Sequence, residues 1–575
     1  MALRGKFQRP QNRPATIEYT EKGLSKLCCK TQRNLESPLF QAFFSTYVPE
    51  KAFSVCIKDS VFIDPPYNTG NDFIYADDFK MESEEWKVES GEWSEEGDRL
   101  FKNTDTNGRF HSDWCSMIYS RLLLARNLLT DDGVIFISID DNEQENLKKI
   151  CDEVFGGQNF VAQLVWERAF SPKNDARFIS NSHDYVLMYA KNITQFVIGR
   201  LPRTEEANAR YSNPDNDPRG VWMSSDISVK TYNAECDYPI TAPSGRVIEP
   251  PAGRCWSLSK KAFLERLQDN RIWFGPDGNG VPRIKRFLTD LKHEGMAPTS
   301  IMFFKDVGHS QEGAQEVSKL LDGGFFSGPK PQRLMQRLLT LANLKTDSVV
   351  LDFFSGSAST AHAVLSKNVE DGGHRKFIMV QLPEKCDEKS EAYKAGYKNI
   401  CEIGKERIRR AGEKILKEQL ANNNSTLNSP NSKLDIGFRV LKLDSTNMKD
   451  VYYAPCDYDQ DSLHQLESNI KDDRTDLDLL FGCLIDWGLP LSLPYKSEQI
   501  DGCTVHTYND GDLIACFDAN VPESVVKEIA QRKPLHAVFR DSGFESSPEK
   551  INMFEIFKLY MPEDANDISK CVRVI

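Results

Sequence analysis

Residues 134–139, VIFISI, form a run with no charge and no helical spacing, bounded by Gly133 and Asp140. An apolar β run of that length reads as a strand buried on both faces, the pattern of a parallel sheet covered by helices. The stretch before it, DWCSMIYSRLLLARNLL (113–129), places apolar residues at helical spacing and stops at TDDG (130–133), so a helix hands over to a buried strand. The same order recurs two hundred residues later. PQRLMQRLLTLANL (331–344) reads as a helix, SVVLDFFSGSAS (348–359) as a strand running into a small-residue turn, TAHAVLSKNV (360–369) as a helix and RKFIMVQLPE (375–384) as a strand. An earlier strand, SVFIDPP (60–66), precedes them all. Helix then strand, repeated, predicts a doubly wound α/β domain.

The chain has 575 residues, too many for one ordinary core. Between the two α/β halves, residues 165–325 are rich in Pro, Gly, Asn and aromatics, as in YSNPDNDPRGVW and RIWFGPDGNGVPRIK, and read as an inserted, irregular domain. The polar run EQLANNNSTLNSPNSK (418–433) has linker composition and borders a C-terminal domain at 434–575. The catalytic and cofactor halves of the α/β domain then occupy 61–164 and 326–417, and 1–60 stand apart as an N-terminal segment. The net charge of −13 is unevenly spread: residues 161–340 hold 24 Lys and Arg against 20 Asp and Glu, whereas 436–575 hold 14 against 25. The acidic tail repels phosphate and reads as a protein-contact domain beside a neutral-to-basic, DNA-facing one. No run approaches the roughly 20 apolar residues of a membrane span, and the first residues lack a signal-peptide core, so an intracellular, soluble protein with no membrane partner is expected. The 14 cysteines include no C-x-x-C pair, and neither structural zinc nor a disulfide framework is expected.

Two strand ends carry the chemistry. In LDFFSGSAST, small residues after a strand let backbone N–H groups approach a ligand, while Asp352 can accept hydrogen bonds from a cationic amine. One strand later Glu384 stands where an acid can hold both hydroxyls of a ribose. In FIDPPYNTG, Asp64 offers carboxylate acceptors, Pro65 and Pro66 stiffen the backbone and remove competing donors, and Tyr67 offers a face for stacking. Such a site suits a planar, amino-bearing ring whose exocyclic nitrogen attacks a sulfonium methyl, by positioning and electrostatics rather than covalent catalysis.

DPPYNTGNDF resembles the catalytic motif of amino-directed DNA methyltransferases, and DFFSGSAST resembles their S-adenosylmethionine motif. The catalytic motif comes first and a long insertion follows, an order similar to the β-class. HSDWCSMIYSRLLLARNLLTDDGVIFISIDDNE, SPKNDARFISNSHDYVLMYAKN, FFSGPKPQRLMQRLL, GFRVLKLDSTNMKDVYY and AVFRDSGF bring the resemblance nearest to the modification subunit of type III restriction-modification systems, from about residue 61 to the end.

The resemblance implies a doubly wound, Rossmann-like S-adenosylmethionine-dependent methyltransferase sheet with an inserted target-recognition region and a C-terminal α+β domain. It implies transfer to N6 of a flipped adenine in double-stranded DNA, with a restriction (helicase-nuclease) subunit as partner, a homodimer through the tail or the insertion, and a cytoplasmic location. Asp64, Pro65, Pro66 and Tyr67 would form the catalytic pocket, with the Asp64 carboxylate and Pro65 carbonyl receiving the amine and Tyr67 stacking on the base. Asp352, Phe354 and Gly356 would line the cofactor site, Glu384 would take the ribose, and Lys330 belongs to the segment that closes over the cofactor. Arg168, Lys173, Arg177, Lys285 and Arg286 in the insertion are candidates for phosphates or guanine edges, with Trp222, Trp256 and Trp273 for stacking or packing. Two departures stand out. Ala358 replaces a glycine that many relatives carry, which the turn tolerates if its φ is negative. In TQRNLESPLFQAF, Arg33 stands where relatives have an acid, beside Asn34 and Leu35. The alternatives are a solitary methyltransferase, and a recognition subunit in which the altered N-terminus abolishes cofactor binding.

Overall fold

The computed structural model describes residues 59–70, 73–75, 100–102, 108–172, 174, 176–291, 295–421, 435–449, 470–563 and 567–575. Its central sheet is assembled from the apolar runs. Seven strands, β1 (Ser60–Ile63), β2 (Val134–Ile139), β3 (Phe160–Glu167), β4 (His183–Ala190), β5 (Ile301–Met302), β6 (Val349–Asp352) and β7 (Lys376–Met379), lie in the order β5-β3-β4-β2-β1-β6-β7. Only β4 runs against its neighbours; the pairs β2/β1, β1/β6, β6/β7 and β3/β5 are parallel. This is the doubly wound α/β sheet that the alternating helix and strand pattern predicts.

Side chains alternate across the pleat, so each strand feeds two layers. Val61, Ile63, Ile135, Ile137 and Ile139 pack against Trp114, Met117, Ile118, Leu122 and Ala125 of helix α1 (Phe110–Leu128), whose apolar residues recur every three or four positions. Phe62, Phe136 and Met188, one position out of phase, are equally buried, so both faces are covered. Helices α2 (Gln144–Cys151), α3 (Ser310–Leu321) and α4 (Gln332–Leu341) follow, and then α5 (Ser359–Asp371), which packs through Ala361 and Leu365 on Ile408 and Ile415 of α6 (Ile400–Ala421).

β4 and β5 lie inside the stretch that composition assigns to an insertion. The separate compact unit is narrower than 165–325: it comprises Val197–Ser300 with Arg337–Asn343. Composition marks irregular chain and cannot tell whether an apolar strand inside it pairs with the main sheet. Within this unit Trp222–Asp226, Arg283–Phe287 and Ile272–Trp273 form an antiparallel sheet over a core that includes Ile240, Trp256, Phe263 and Phe274. Lys285 is 1 % exposed and sits on the carboxylates of Asp215 and Asp217, and Trp222 and Trp256 are buried. These three side chains hold the unit together and present nothing to a groove; Arg286 remains exposed, with its Nε donating to Ser225 Oγ.

The linker expected at 418–433 lies mostly outside the described residues. Towards the C-terminus, Tyr495–Ile500, Cys503–Tyr508, Leu513–Cys516, His536–Phe539 and Val572–Val574 form a five-stranded sheet in sequence order, with helices Asp476–Asp486, Glu523–Gln531 and Ser547–Tyr560. Cys503, Cys516 and Asp518 bring ligand atoms within 4.8 Å of one another there. Burial pushes the Cys516 thiol up to about 12. Among the described residues no helix is long and apolar enough to cross a membrane.

Candidate active site

From β1 the chain leaves through α1 to β2 on one side, and from β6 it leaves through α5 to β7 on the other. Diverging connections open a crevice at the carboxyl ends of two adjacent parallel strands, the place where such sheets bind ligands. Both motifs sit there: Phe62 pairs with Asp352, and Asp64 follows one residue after β1 ends.

The catalytic motif leaves the sheet because Pro65 and Pro66 have no N–H to extend the ladder. The Pro66 carbonyl accepts a 2.7 Å hydrogen bond from Nε1 of Trp114, which is fully buried in α1. Asn68 turns the chain at φ 59°, a left-handed conformation asparagine adopts more readily than most residues, and Gly70 follows at φ 84°. Buried Asn68 donates through Nδ2 to Glu143 Oε1 at 2.6 Å and to the Phe110 carbonyl at 3.3 Å. Glu143, completely buried, also has His111 Nδ1 at 2.6 Å and receives Asn146 Nδ2 at 2.7 Å. A buried carboxylate thus anchors the turn that aims Asp64 and Tyr67.

Lys330 completes this group. Its Nζ lies 2.9 Å from Asp64 Oδ1, donates to the Tyr67 hydroxyl at 2.7 Å, and stands 4.9 and 5.5 Å from the ring centroids of Tyr67 and Trp166. Its carbonyl accepts from the hydroxyl of Ser359, the first residue of α5, at 3.0 Å. One residue therefore ties the cofactor turn, by its backbone, to the catalytic motif, by its ammonium. Desolvation, reinforced by the Asp64 charge, holds the Tyr67 phenol well above its ordinary pKa, so it stays a neutral stacking face. Asp184 lines the same region at 4 % exposure and 2.8 Å from Arg168 Nε; burial pushes it up to about 6 although Lys330 and Arg168 pull the other way. Arg168 is thereby engaged inside the domain.

On the cofactor side, Asp352 is 2 % exposed. It accepts from Thr360 Oγ1 at 2.5 Å and from the Phe354 N–H at 3.2 Å, and among the described residues no Lys or Arg pairs with it. Burial pushes its carboxyl up to about 7. The Gly356 N–H donates to Gln381 Oε1 at 2.7 Å, and Gln381 Nε2 reaches Glu384 Oε1 at 3.4 Å, so the turn is linked to the acid beyond β7. Gly356 has φ 47°, and a Cβ there would come within 3.0 Å of the Phe326 ring. Arg407 of α6, with no exposed surface, donates through Nη1 to Ser357 Oγ and Ser359 Oγ, both at 2.7 Å, and braces the turn from behind. Ala358 is in the left-handed region at φ 60°, so the condition under which it replaces glycine without strain is not met.

The crevice brings together Asp64, Pro66, Tyr67 and Lys330 on one wall and Asp352, Phe354, Gly356 and Glu384 on the other, with Pro65 buried between Asp64 and Pro66. Sequence reasoning does not find Trp114, Trp166, Glu143, Asp184 or Arg407, which look like ordinary helix and strand residues until the sheet closes. Asn71, Asp72, Lys173 and the N-terminal element with Arg33, Asn34 and Leu35 lie outside the described residues. The donor set fits S-adenosylmethionine: a buried acid awaiting a cation, a turn narrowed by glycine, and an acid one strand on. A doubly wound sheet with an Asp-Pro-Pro-Tyr turn at its switch point defines the S-adenosylmethionine-dependent, amino-directed methyltransferases.

Residues 59–394 match the family model described as DNA methylase, and the chain belongs to that family. It is 36 % identical over 386 residues to the type III restriction-modification enzyme StyLTI Mod subunit of Salmonella typhimurium, a match covering 66 % of this chain and 56 % of the relative's length. It is 30 % identical to the EcoPI Mod subunit of Escherichia phage P1 and 28 % identical to the EcoP15I Mod subunit of Escherichia coli, each match covering 89 % of this chain and 81 % of the relative. Residues 59–394 thus form the DNA methylase region of the chain, with the separate unit of Val197–Ser300 within that span of sequence.

Proposed function

We propose that the chain methylates N6 of adenine at a specific sequence in duplex DNA and serves as the modification subunit beside a restriction subunit. S-adenosylmethionine supplies an electrophilic methyl group. The target adenine must leave the stack to reach a recessed pocket. Tyr67 then stacks on the ring, and the Asp64 carboxylate and the Pro65 carbonyl accept the two N6 hydrogens; the Pro66 carbonyl is already taken by Trp114. With its hydrogens held, the nitrogen directs its lone pair at the methyl group, and the gain comes from alignment and charge rather than from a covalent enzyme intermediate. Asp352 receives the donor's ammonium, Phe354 and Gly356 border it, Glu384 takes the ribose hydroxyls, and Lys330 closes the site.

The observation that carries this reading is the Asp64, Lys330 and Tyr67 group standing one strand from buried Asp352 at the switch point. The relatives named as type III Mod subunits, with matches running into the C-terminal domain, support a restriction partner for the acidic tail. The unit formed by Val197–Ser300 and Arg337–Asn343 is assigned the reading of sequence, and the cytoplasm, where chromosomal DNA lies, is the compartment.

The test is methyl transfer from labelled S-adenosylmethionine to unmethylated genomic DNA, followed by single-molecule sequencing of the product. N6-methyladenine at one short motif is expected. Folded protein that neither transfers methyl nor binds the donor would refute the reading and favour a recognition subunit without catalysis.

A further inference from the structure

Phe178 and Ile179 are 85 % and 89 % exposed, more than any other large apolar side chain among the described residues. Segments between strands are ordinarily polar, and bulky apolar side chains held in water signal an absent partner. Their position in the fold says which partner. The segment joins the end of β3 to the start of β4, and β3 runs antiparallel to β4, β4 antiparallel to β2, and β2 parallel to β1. The carboxyl end of β3 therefore lies on the sheet edge that carries Asp64 and Tyr67.

The foot of the segment is pinned, while Phe178 and Ile179 stand exposed. The N–H groups of Arg168 and Ala169 donate to the Ser182 carbonyl at 2.9 and 3.2 Å, and Arg168 lies on buried Asp184. Asn181 Nδ2 donates to Asp141, which also accepts from the Tyr185 hydroxyl at 2.9 Å, and His183 Nε2 stands 2.9 Å from that hydroxyl. Beyond these anchors, the Arg177 guanidinium lies 5.0 Å from the Phe178 ring, placing a cation beside the exposed aromatic. A positively charged, apolar tip on a fixed foot, on the sheet edge that carries Asp64 and Tyr67, matches what an opened duplex requires. Extracting a base leaves a gap in the stack, and DNA-distorting proteins fill such gaps with Phe, Leu, Ile or Met side chains.

We propose that Phe178 and Ile179 form a wedge that enters the base stack of duplex DNA and occupies the space vacated by the target adenine, with Arg177 meeting the flanking phosphate. The wedge acts on the protein–DNA complex before methyl transfer and touches neither the donor nor the reacting nitrogen. This inference rests on the methyltransferase reading above.

The experiment uses the full chain and two duplexes carrying the motif found by genomic mapping, one with thymine opposite the target adenine and one with an abasic residue there, which leaves the adenine unpaired. For Phe178→Ala/Ile179→Ala, the methylation rate on the paired duplex is expected to fall about tenfold or more, the scale of a lost base–aromatic contact. On the abasic duplex it should stay within about threefold of wild type, with donor binding by calorimetry unchanged. A 2-aminopurine at the target position should brighten with wild type and stay quenched with the variant. Equal losses on both duplexes, or none on the paired one, would overturn the wedge while leaving the methyltransferase reading intact. A wild-type chain inert on both duplexes would refute that reading, and the wedge with it.

Discussion

With Asp352 as the proposed acceptor of the donor's ammonium, donor binding is expected to release a proton. In the free protein the Asp352 carboxyl is buried, receives two neutral donors and, among the described residues, no cation, and stands at about 7 against an ordinary 3.8. Bringing the donor's ammonium to the ionised form should return the carboxyl to about 4, because an adjacent opposite charge offsets desolvation. At pH 5 the free carboxyl is then about 99 % protonated, and binding must first expel that proton, weakening affinity by roughly a hundredfold relative to the fully ionised carboxyl. The association constant should rise by up to about tenfold per pH unit from pH 5 to 6.5 and level off above about 7.5, falling again only as the donor's amino group, with a pKa near 8, loses its charge. Calorimetry at pH 6 in two buffers of different ionisation enthalpy should show about 0.9 proton released per donor bound. The same group works against folding in the free protein: a raised carboxyl pKa leaves stability untouched at low pH and removes it as pH climbs from about 3.8 towards 7, by at most about 4 kcal/mol. Asp352→Asn should bind weakly and without this pH dependence. A flat profile between pH 5 and 7 in wild type, or an unchanged slope in the variant, would refute the assignment.

Asp64→Asn keeps the shape of the side chain but loses the charge that faces Lys330 and an acceptor for the amine; methyl transfer should fall by about a thousandfold or more, with donor affinity within a few-fold of wild type by titration. Ala358→Gly relieves a left-handed alanine that costs about 1–2 kcal/mol, partly offset by the looser unfolded chain, so calorimetry should show the melting temperature of the methyltransferase domain rising by about 2 °C. Lys285→Met leaves Asp215 without its cation and Asp217 with Arg219 alone, and should destabilise the unit holding Val197–Ser300 by about 3 kcal/mol in urea unfolding. A Lys285 variant that kept full stability while binding DNA less tightly would return that lysine to the groove.

The two acids at strand ends and their turns were legible because the local chain writes them out: an apolar run, an acid, then residues that stop a ladder or tighten a turn. Lys330 was legible only as part of a motif, and the motif placed it over the cofactor; its ammonium lies on Asp64 and Tyr67, more than 260 positions away in sequence. Lys285 and Arg168 looked like basic residues for DNA, and composition gave no sign that each faces an internal carboxylate. The φ of Ala358 was left as a condition because sequence carries no dihedral, and the close packing between α6 and the turn, where a Cβ on Gly404 would lie 3.2 Å from the Gly356 carbonyl, is equally invisible in one dimension.

By itself the sequence determined what depends on neighbours along the chain: the period of buried strands and helices, the proline-stiffened turn after Asp64, the small-residue turn after Asp352, and with them the class of chemistry. Tertiary structure alone decided which charges meet. Strand order set the end of β1 beside Asp352, burial raised the Asp352 carboxyl to about 7, and the strand directions put the segment bearing the exposed Phe178 and Ile179 on the same sheet edge as Asp64. Electrostatic interaction and desolvation act through space, so no reading of chain order could assign them.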